Sequence, residues 1–309
     1  MMTASDRDCC FRRSTLEGIP RVLWELNSTC NLACSFCHAS PHTEIGLPTS
    51  KICQMLDILA KLGVKEIIFS GGEPLLRKDI FEILHHARQL GFQLDLCTNG
   101  TLVTTATARE LAGLLTEISV SLDSADASLH DWMRGRLGTW EKAVYGIQTL
   151  VENGLEVHAI ALMCDQTVPG VEDTVQLLAR LGVQSVALLG LMQIAGMDNP
   201  FTFSPEGRTK LTHDLSELRK HNPFIVINTK RILATESENA CGAGQNIWGI
   251  TAEGILIPCI LLQRCTQGLS LDDLKDYRSW QEVNDRLKTL NPDPYWKQCT
   301  SFYQESSNS

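Results

Sequence analysis

The sequence predicts an α/β protein built on parallel strands, and three observations carry that prediction. Short apolar runs alternate with amphipathic segments over residues 20–230. Gly63, Gly91, Gly154 and Gly182 each stand between the end of a helical pattern and the next apolar run. Apolar residues make up 43% of the 309-residue chain, enough to bury a sizeable core. Strands that alternate with helices pair in parallel through right-handed crossovers.

In chain order, the first strand spans 21–27 (RVLWELN) and leads to a helical pattern near 49–62. Strand 64–70 (VKEIIFS) precedes a helix near 78–90, and strand 93–98 (QLDLCT) precedes one near 104–115. Strand 117–123 (EISVSLD) is followed by a helix near 138–153, and strand 156–163 (EVHAIALM) by one near 169–181. A sixth strand, 185–191 (SVALLGL), precedes a helix near 204–221. Six such units are two short of an eightfold barrel, and chemistry in this architecture gathers at the carboxyl ends of the strands. Beyond residue 230 the composition changes: Ile247-Trp248-Gly249-Ile250, a turn at Ala252-Glu253-Gly254 and Ile255-Leu256-Ile257-Pro258-Cys259 read as a β-hairpin. A helix near 270–289 follows. Three regions result: a disordered leader over 1–19 holding Cys9 and Cys10, an α/β domain over 20–230 and a small C-terminal domain over 231–309.

Composition excludes several classes of function. A net charge of −9 argues against a nucleic-acid partner and permits a cationic substrate. No apolar stretch reaches the length of a membrane span and no signal peptide precedes the first motif, so a cytoplasmic protein without a membrane partner is expected. Twelve cysteines in such a chain point to metal or redox chemistry in a reducing compartment.

The cysteines that matter most are Cys30, Cys34 and Cys37, spaced C-x3-C-x2-C directly after the first strand. Three soft ligands suit an iron–sulfur cluster, which is normally held by four, so one iron stays open to a small molecule. The alternative is a structural zinc site completed by His38 or His42. The loop, with Phe36 before its last cysteine, resembles the signature of the radical S-adenosylmethionine (radical SAM) enzymes. That resemblance implies a partial (β/α)6 barrel, a [4Fe-4S] cluster on Cys30, Cys34 and Cys37, and S-adenosylmethionine chelated by the open iron, with Phe36 flanking its adenine. Ser70-Gly71-Gly72-Glu73-Pro74 resembles the family's GGEP motif, which implies that Gly71, Gly72, Glu73 and Pro74 hold the cofactor's amino group. Glycines let a backbone approach a ligand closely, and a carboxylate pairs with an ammonium. Thr98-Asn99-Gly100 resembles the family's TNG turn and adds Asn99 to the cofactor site. Ser121 shares a strand face with Ser119 and Asp123; the resemblance gives it a contact to the cofactor's ribose or carboxylate. His130-Asp131-Trp132-Met133-Arg134-Gly135 resembles a segment whose arginine faces the cofactor carboxylate, a role suited to a bidentate guanidinium; a helix-surface salt bridge is the alternative. Relatives carry an Arg-Ala pair after Gly190, and this chain has no arginine there.

Cys241, Gly254 and Cys259 resemble the opening of SPASM and twitch auxiliary-cluster domains. This implies a second [4Fe-4S] cluster on Cys241, Cys259 and Cys299, with Cys265 as the fourth ligand or as a catalytic hydrogen donor. Cys53 and Cys97 read as core thiols, and Cys164 as either a core or an active-site thiol. The implied mechanism is reductive cleavage of S-adenosylmethionine, by an electron from a flavodoxin- or ferredoxin-type partner, to a 5′-deoxyadenosyl radical that abstracts a substrate hydrogen. An auxiliary cluster then permits a two-electron oxidation, whereas a thiol donor gives epimerisation. Only about 20 residues precede the first strand, too few for the winged-helix peptide-recognition domain of some relatives. A small metabolite such as an aminosugar or aminocyclitol is therefore the expected substrate, with a ribosomal peptide as the second reading. A non-catalytic iron–sulfur carrier is the non-enzyme alternative, and the motifs at 71–74 and Ser121 argue against it.

Overall fold

The computed structural model describes residues 20–38, 44–191, 200–229, 243–244, 247–263 and 266–291. In chain order these form β1 (Arg21–Glu25), α1 (Thr49–Lys61), β2 (Glu66–Ser70), α2 (Ile80–Gln89), β3 (Gln93–Thr98) and α3 (Thr105–Ala112). Next come β4 (Glu117–Ser121), α4 (Ala127–Arg134), α5 (Thr139–Glu152), β5 (Val157–Met163), α6 (Val171–Arg180) and β6 (Ser185–Gly190). The remainder is α7 (Pro205–His221), β7 (Val226–Asn228), β8 (Ile247–Ile250), β9 (Leu256–Ile257), α8 (Leu271–Leu274) and α9 (Trp280–Leu290). All six strands and all six helices predicted over residues 20–230 are present, most of them trimmed at their ends.

Local chemistry explains where these elements begin and stop. On α1, Ile52, Met55, Leu56 and Leu59 are buried, the spacing of one helical face. Gly63, Gly91, Gly154 and Gly182 follow their helices with φ between 82° and 90°, a left-handed conformation that reverses the chain cheaply only in glycine. The Asp126 carboxylate accepts from the N–H groups of Ser128 and Leu129 and so starts α4. Ser204 caps α7 in the same way, with Pro205 at its first position.

The chain divides into two compact units. One comprises 14–31, 38–97 and 241–309 and holds the strand order β3-β2-β1-β8-β9. Its β1, β2 and β3 pair in parallel, Leu23 opposite Ile68 and Ile68 opposite Asp95. The predicted hairpin is present: β8 and β9 run antiparallel, with Gly249 opposite Ile257. Its strand β8 also pairs in parallel with β1, Val22 opposite Trp248, so the C-terminal segment extends the sheet of this unit. The predicted helix over 270–289 is two helices, α8 and α9, and the Trp280 ring of α9 meets Trp248 edge-on at 4.9 Å.

The second unit comprises 1–13, 32–37 and 98–240, with strand order β7-β6-β5-β4, all parallel. Strand β7 adds a seventh parallel strand to the six predicted. Three residues, two of them apolar, are too short to register as a strand by periodicity; β6 recruits them by pairing Ser185 with Val226. Helix α4 was likewise not assigned as an element from the sequence. Cys164 is fully buried at the end of β5, its Sγ 3.6 Å from Thr167 Oγ1, which fits the core reading. Cys53 and Cys97 do not belong to the core: both are half-buried. Cys97 lies on the half-open face of β3 with Asp95, while Leu94 and Leu96 point inward. Burial, with the carboxylates of Glu82, Asp57 and Asp79 nearby, pushes the Cys53 thiol up.

Candidate functional site

The GGEP turn is built against the residues that lead into the cysteine loop. Gly72 N–H donates to Asn27 O at 2.8 Å and Glu73 N–H to Thr29 O at 2.9 Å, so 71–73 run alongside 27–29. Gly71 has φ +134°, and a Cβ there would collide with the Asn27 carbonyl. A Cβ on Gly72 would collide with the Ser28 and Thr29 carbonyls. Both glycines are thus demanded by close backbone approach. Asn27, not singled out from the sequence, fastens the two segments: its buried amide donates to Thr29 O at 2.9 Å, Thr29 Oγ1 at 2.7 Å and Glu73 O at 3.3 Å. Glu73 is fully buried; its Oε1 accepts from Leu75 N–H at 3.0 Å and caps a short turn over Pro74–Leu76. Cys30 follows directly and is half-buried. In the same unit, His38 Nε2 lies 2.7 Å from Glu25 Oε1, so the imidazole proposed as a zinc ligand is engaged with a buried carboxylate. His42 is outside the described residues.

In the other unit, Cys37 N–H donates to Cys34 O at 3.2 Å, closing a tight turn that holds two half-buried thiols close in sequence. The carboxyl end of α4 packs on this turn. Arg134 O accepts from Ala33 N–H at 3.2 Å and lies 3.8 Å from Cys34 Sγ. Gly135, at φ +69°, lies so near Ala33 O that a Cβ would not fit. The Arg134 guanidinium lies 5.4 Å from the centre of the Phe36 ring, and Phe36 meets Phe201 edge-on at 6.0 Å. Phe201 in turn meets Trp132 at 4.6 Å.

Arg134 is buried and forks a single carboxylate: Nε donates to Asp123 Oδ2 at 2.6 Å and Nη2 to Asp123 Oδ1 at 2.8 Å. Leu162 N–H completes Asp123 at 3.0 Å. Burial pushes the Asp123 carboxyl up, but Arg134 and the Leu162 N–H outweigh it and hold the group below the usual range. Burial likewise pushes the Arg134 guanidinium down, and Asp123 more than offsets it. Cys34 is raised, by burial first, with Arg134 opposing. Ser121 ends β4 half-buried, two residues before Asp123. Asn99 is buried and bends back on its own turn, its Oδ1 accepting from Thr101 N–H at 3.0 Å and Thr101 Oγ1 at 2.6 Å. Gly100 follows at φ +76°.

His130 is fully buried, and its Nδ1 accepts from Asp123 N–H at 3.2 Å, which leaves the ring proton on Nε2. Burial pushes its pKa down to about 4. Between pH 6.5 and about 4 the unfolded chain therefore takes up a proton that the native imidazole refuses, so stability is lost as pH falls through that window and is unaffected above it. Moving from pH 7 to 5 is expected to cost about 2 kcal/mol at roughly 1.4 kcal/mol per unit below 6.5. Urea unfolding at both pH values checks this, with His130→Asn, which keeps an acceptor for Asp123 N–H, losing much less. Equal losses in both proteins would refute the assignment.

At the C-terminal site, Cys259 is half-buried two residues after β9 and precedes a short turn over Ile260–Leu262. Cys241, Cys265 and Cys299 lie outside the described residues. Among the described residues, no helix is long and apolar enough to cross a membrane.

The donor chemistry of Cys30, Cys34 and Cys37, half-buried thiols on one short loop, fits an iron–sulfur cluster with an open iron. That donor set is the chemistry expected of an enzyme whose cluster takes a small molecule at its open iron. The Radical SAM superfamily model matches residues 24–178, and the chain belongs to the radical SAM superfamily, whose members use a [4Fe-4S] cluster and S-adenosylmethionine. An AdoMet-dependent heme synthase of Oleidesulfovibrio alaskensis is 35% identical over 178 residues, 55% of this chain and 46% of that protein. The chain thus spans about half the length of that relative. A PqqA peptide cyclase of Bradyrhizobium diazoefficiens is 27% identical over 295 residues, 87% of this chain and 76% of that protein. The crystal structure of Streptococcus suis SuiB bound to S-adenosylmethionine superposes with a TM-score of 0.74 at 17% identity, covering 87% of this chain and 67% of that one. This likeness carries the fold, the α/β partial barrel expected from the sequence.

Proposed function

We propose that this radical SAM enzyme abstracts a hydrogen atom from its substrate and completes a two-electron oxidation through a second cluster in the C-terminal segment. The observation that supports it most directly is the Cys34–Cys37 turn packed under α4, a preformed thiol loop of the kind a site-differentiated cluster needs. When bound, the cluster and S-adenosylmethionine supply hydrogen abstraction, with methionine and 5′-deoxyadenosine as products. The chain's own residues position the partners. Cys30, Cys34 and Cys37 give up their protons to hold iron. The backbone of Gly71 and Gly72 and the buried Glu73 carboxylate orient the cofactor's amino group, Pro74 fixes that turn, and Asn99, Ser121 and Arg134 border the rest. Phe36 flanks the adenine. Cys241, Cys259, Cys265 and Cys299 would hold the auxiliary cluster as electron acceptor, and a flavodoxin- or ferredoxin-type protein would supply the first electron.

A peptide substrate is favoured by a relative whose match covers 87% of this chain, a PqqA peptide cyclase. A small molecule, the class expected from the sequence, is favoured by the higher identity to a heme synthase. With reconstituted protein, dithionite and S-adenosylmethionine under anaerobic conditions, short peptides encoded beside the gene and tetrapyrroles are assayed for 5′-deoxyadenosine above the substrate-free rate. The expected product is about two mass units lighter than its substrate. A product of unchanged mass in ordinary water that gains one deuterium in deuterated solvent would replace oxidation by epimerisation, with Cys265 as hydrogen donor. Protein that binds zinc and never yields 5′-deoxyadenosine would refute the enzyme reading.

A further inference from the structure

We infer that Glu117, Glu156 and His158 form a zinc-class divalent-metal site that clasps β4 to β5 at their amino ends. Strand pairing brings these residues together within one compact unit. Ile118 stands opposite Val157, and His158 lies between Ser119 of β4 and Ser185 of β6. Side chains alternate along a strand, so Glu117, Glu156, His158 and Ser185 share one face of the sheet. Glu117 opens β4 and Glu156 directly precedes β5, whereas Asp123 lies beyond the carboxyl end of β4. In barrels of this kind the carboxyl ends carry chemistry and the amino ends carry stability. The ion's work here is to hold two strands.

The geometry suits one ion. His158 Nε2 lies 3.2 Å from Glu117 Oε2 and 3.6 Å from Glu156 Oε1, and one donor atom from each residue falls within 4.8 Å of the others. Ligands bound at about 2.0–2.1 Å stand roughly 3.0–3.4 Å apart, so a small rotation of Glu156 brings all three onto a single cation. A protonated imidazole would account for Glu117 alone, since 3.6 Å is too long for a hydrogen bond to Glu156. Outside the three donors, Ser185 Oγ lies 2.7 Å from His158 Nδ1. With the Nδ1 proton on that hydroxyl, Nε2 turns its lone pair toward the carboxylates, and such an outer hydrogen bond is what orients a metal-bound imidazole. The His158 and Glu117 side chains are only 7% and 4% exposed, whereas Glu156 is 41% exposed. An ion therefore enters past Glu156, and water completes its shell on that side. An imidazole joined to two carboxylates suits zinc, while magnesium and calcium prefer oxygen alone.

The test measures zinc bound to the full-length protein after dialysis against micromolar zinc chloride. Wild-type protein is expected to hold about one more zinc per chain than Glu156→Gln or His158→Gln. Zinc on cysteines is common to all three proteins and cancels in the difference. Ser185→Ala, which leaves every ligand in place, should weaken the binding about tenfold or more. Zinc should also raise the melting temperature of the wild type more than that of Glu156→Gln, because an ion that binds only the native state stabilises it. Glu156→Gln keeps the size of a half-open side chain, so it decides the matter should His158→Gln fail to fold. Equal zinc content in wild type and Glu156→Gln would overturn the inference. So would variants that melt lower than wild type by the same amount with and without zinc, which would make His158 a protonated partner of the carboxylates. Magnesium chloride that protects as well as zinc chloride would overturn the assignment to an imidazole-ligated ion.

Discussion

A protein with Cys30, Cys34 and Cys37 all changed to alanine is expected to yield no 5′-deoxyadenosine while remaining folded. The loop is an irregular segment whose thiols are only half-buried, so its loss removes little core packing. What it removes is the proposed ligand set of the open iron. Two [4Fe-4S] clusters correspond to about eight irons per chain, and the triple variant should keep about four of them on the C-terminal cysteines. Iron analysis and far-ultraviolet circular dichroism on the same sample separate the outcomes. Complete loss of iron from a folded variant would show that Cys241, Cys259, Cys265 and Cys299 assemble no cluster of their own.

The second large effect is expected at Gly71. Its φ of +134° is reserved for glycine, and an added Cβ would run into the carbonyl of Asn27, a backbone atom that cannot swing aside. Strain and overpacking each cost about 1–3 kcal/mol, so Gly71→Ala should lose about 3 kcal/mol or more. Because 71–73 run alongside 27–29, the displacement reaches the entry to the cysteine loop, and cofactor affinity should fall at least tenfold. Gly91→Ala is the matched control: φ is +86°, but nothing lies within 4 Å of the new methyl group, so only the conformational cost remains. Thermal melts and cofactor titrations on the pair provide the measurement. If Gly71→Ala melts and binds like Gly91→Ala, close approach is not what requires the glycine.

Much of this was legible in the chain itself. Period-two and period-3.6 patterns found six strands and six helices, because each buried face is written in local spacing. Left-handed glycines after α1, α2, α5 and α6 were found for the same reason: a reversal at a helix end is a local event. The hairpin of β8 and β9 followed from alternation around Gly254. Candidate ligand residues could be proposed because the spacing of Cys30, Cys34 and Cys37 on one loop is itself a chemical pattern.

Other features were decided by tertiary structure. Strand β7 exists because β6 offers a free edge, since three residues have no periodicity to read. That β8 lies beside β1 in parallel depends on pairing across more than 220 residues of chain. Arg134 could be read from the sequence as a cofactor ligand or a surface ion pair, but only the fold buried it and gave its fork to Asp123. Asn27 passed unnoticed because a lone asparagine at a strand end gives no signal until Thr29 and Glu73 surround it. Local sequence determined which elements form and which residues could do chemistry. The pairing of buried charges and amides, which depends on groups far apart in the chain and on the loss of water around them, was settled only when the chain packed.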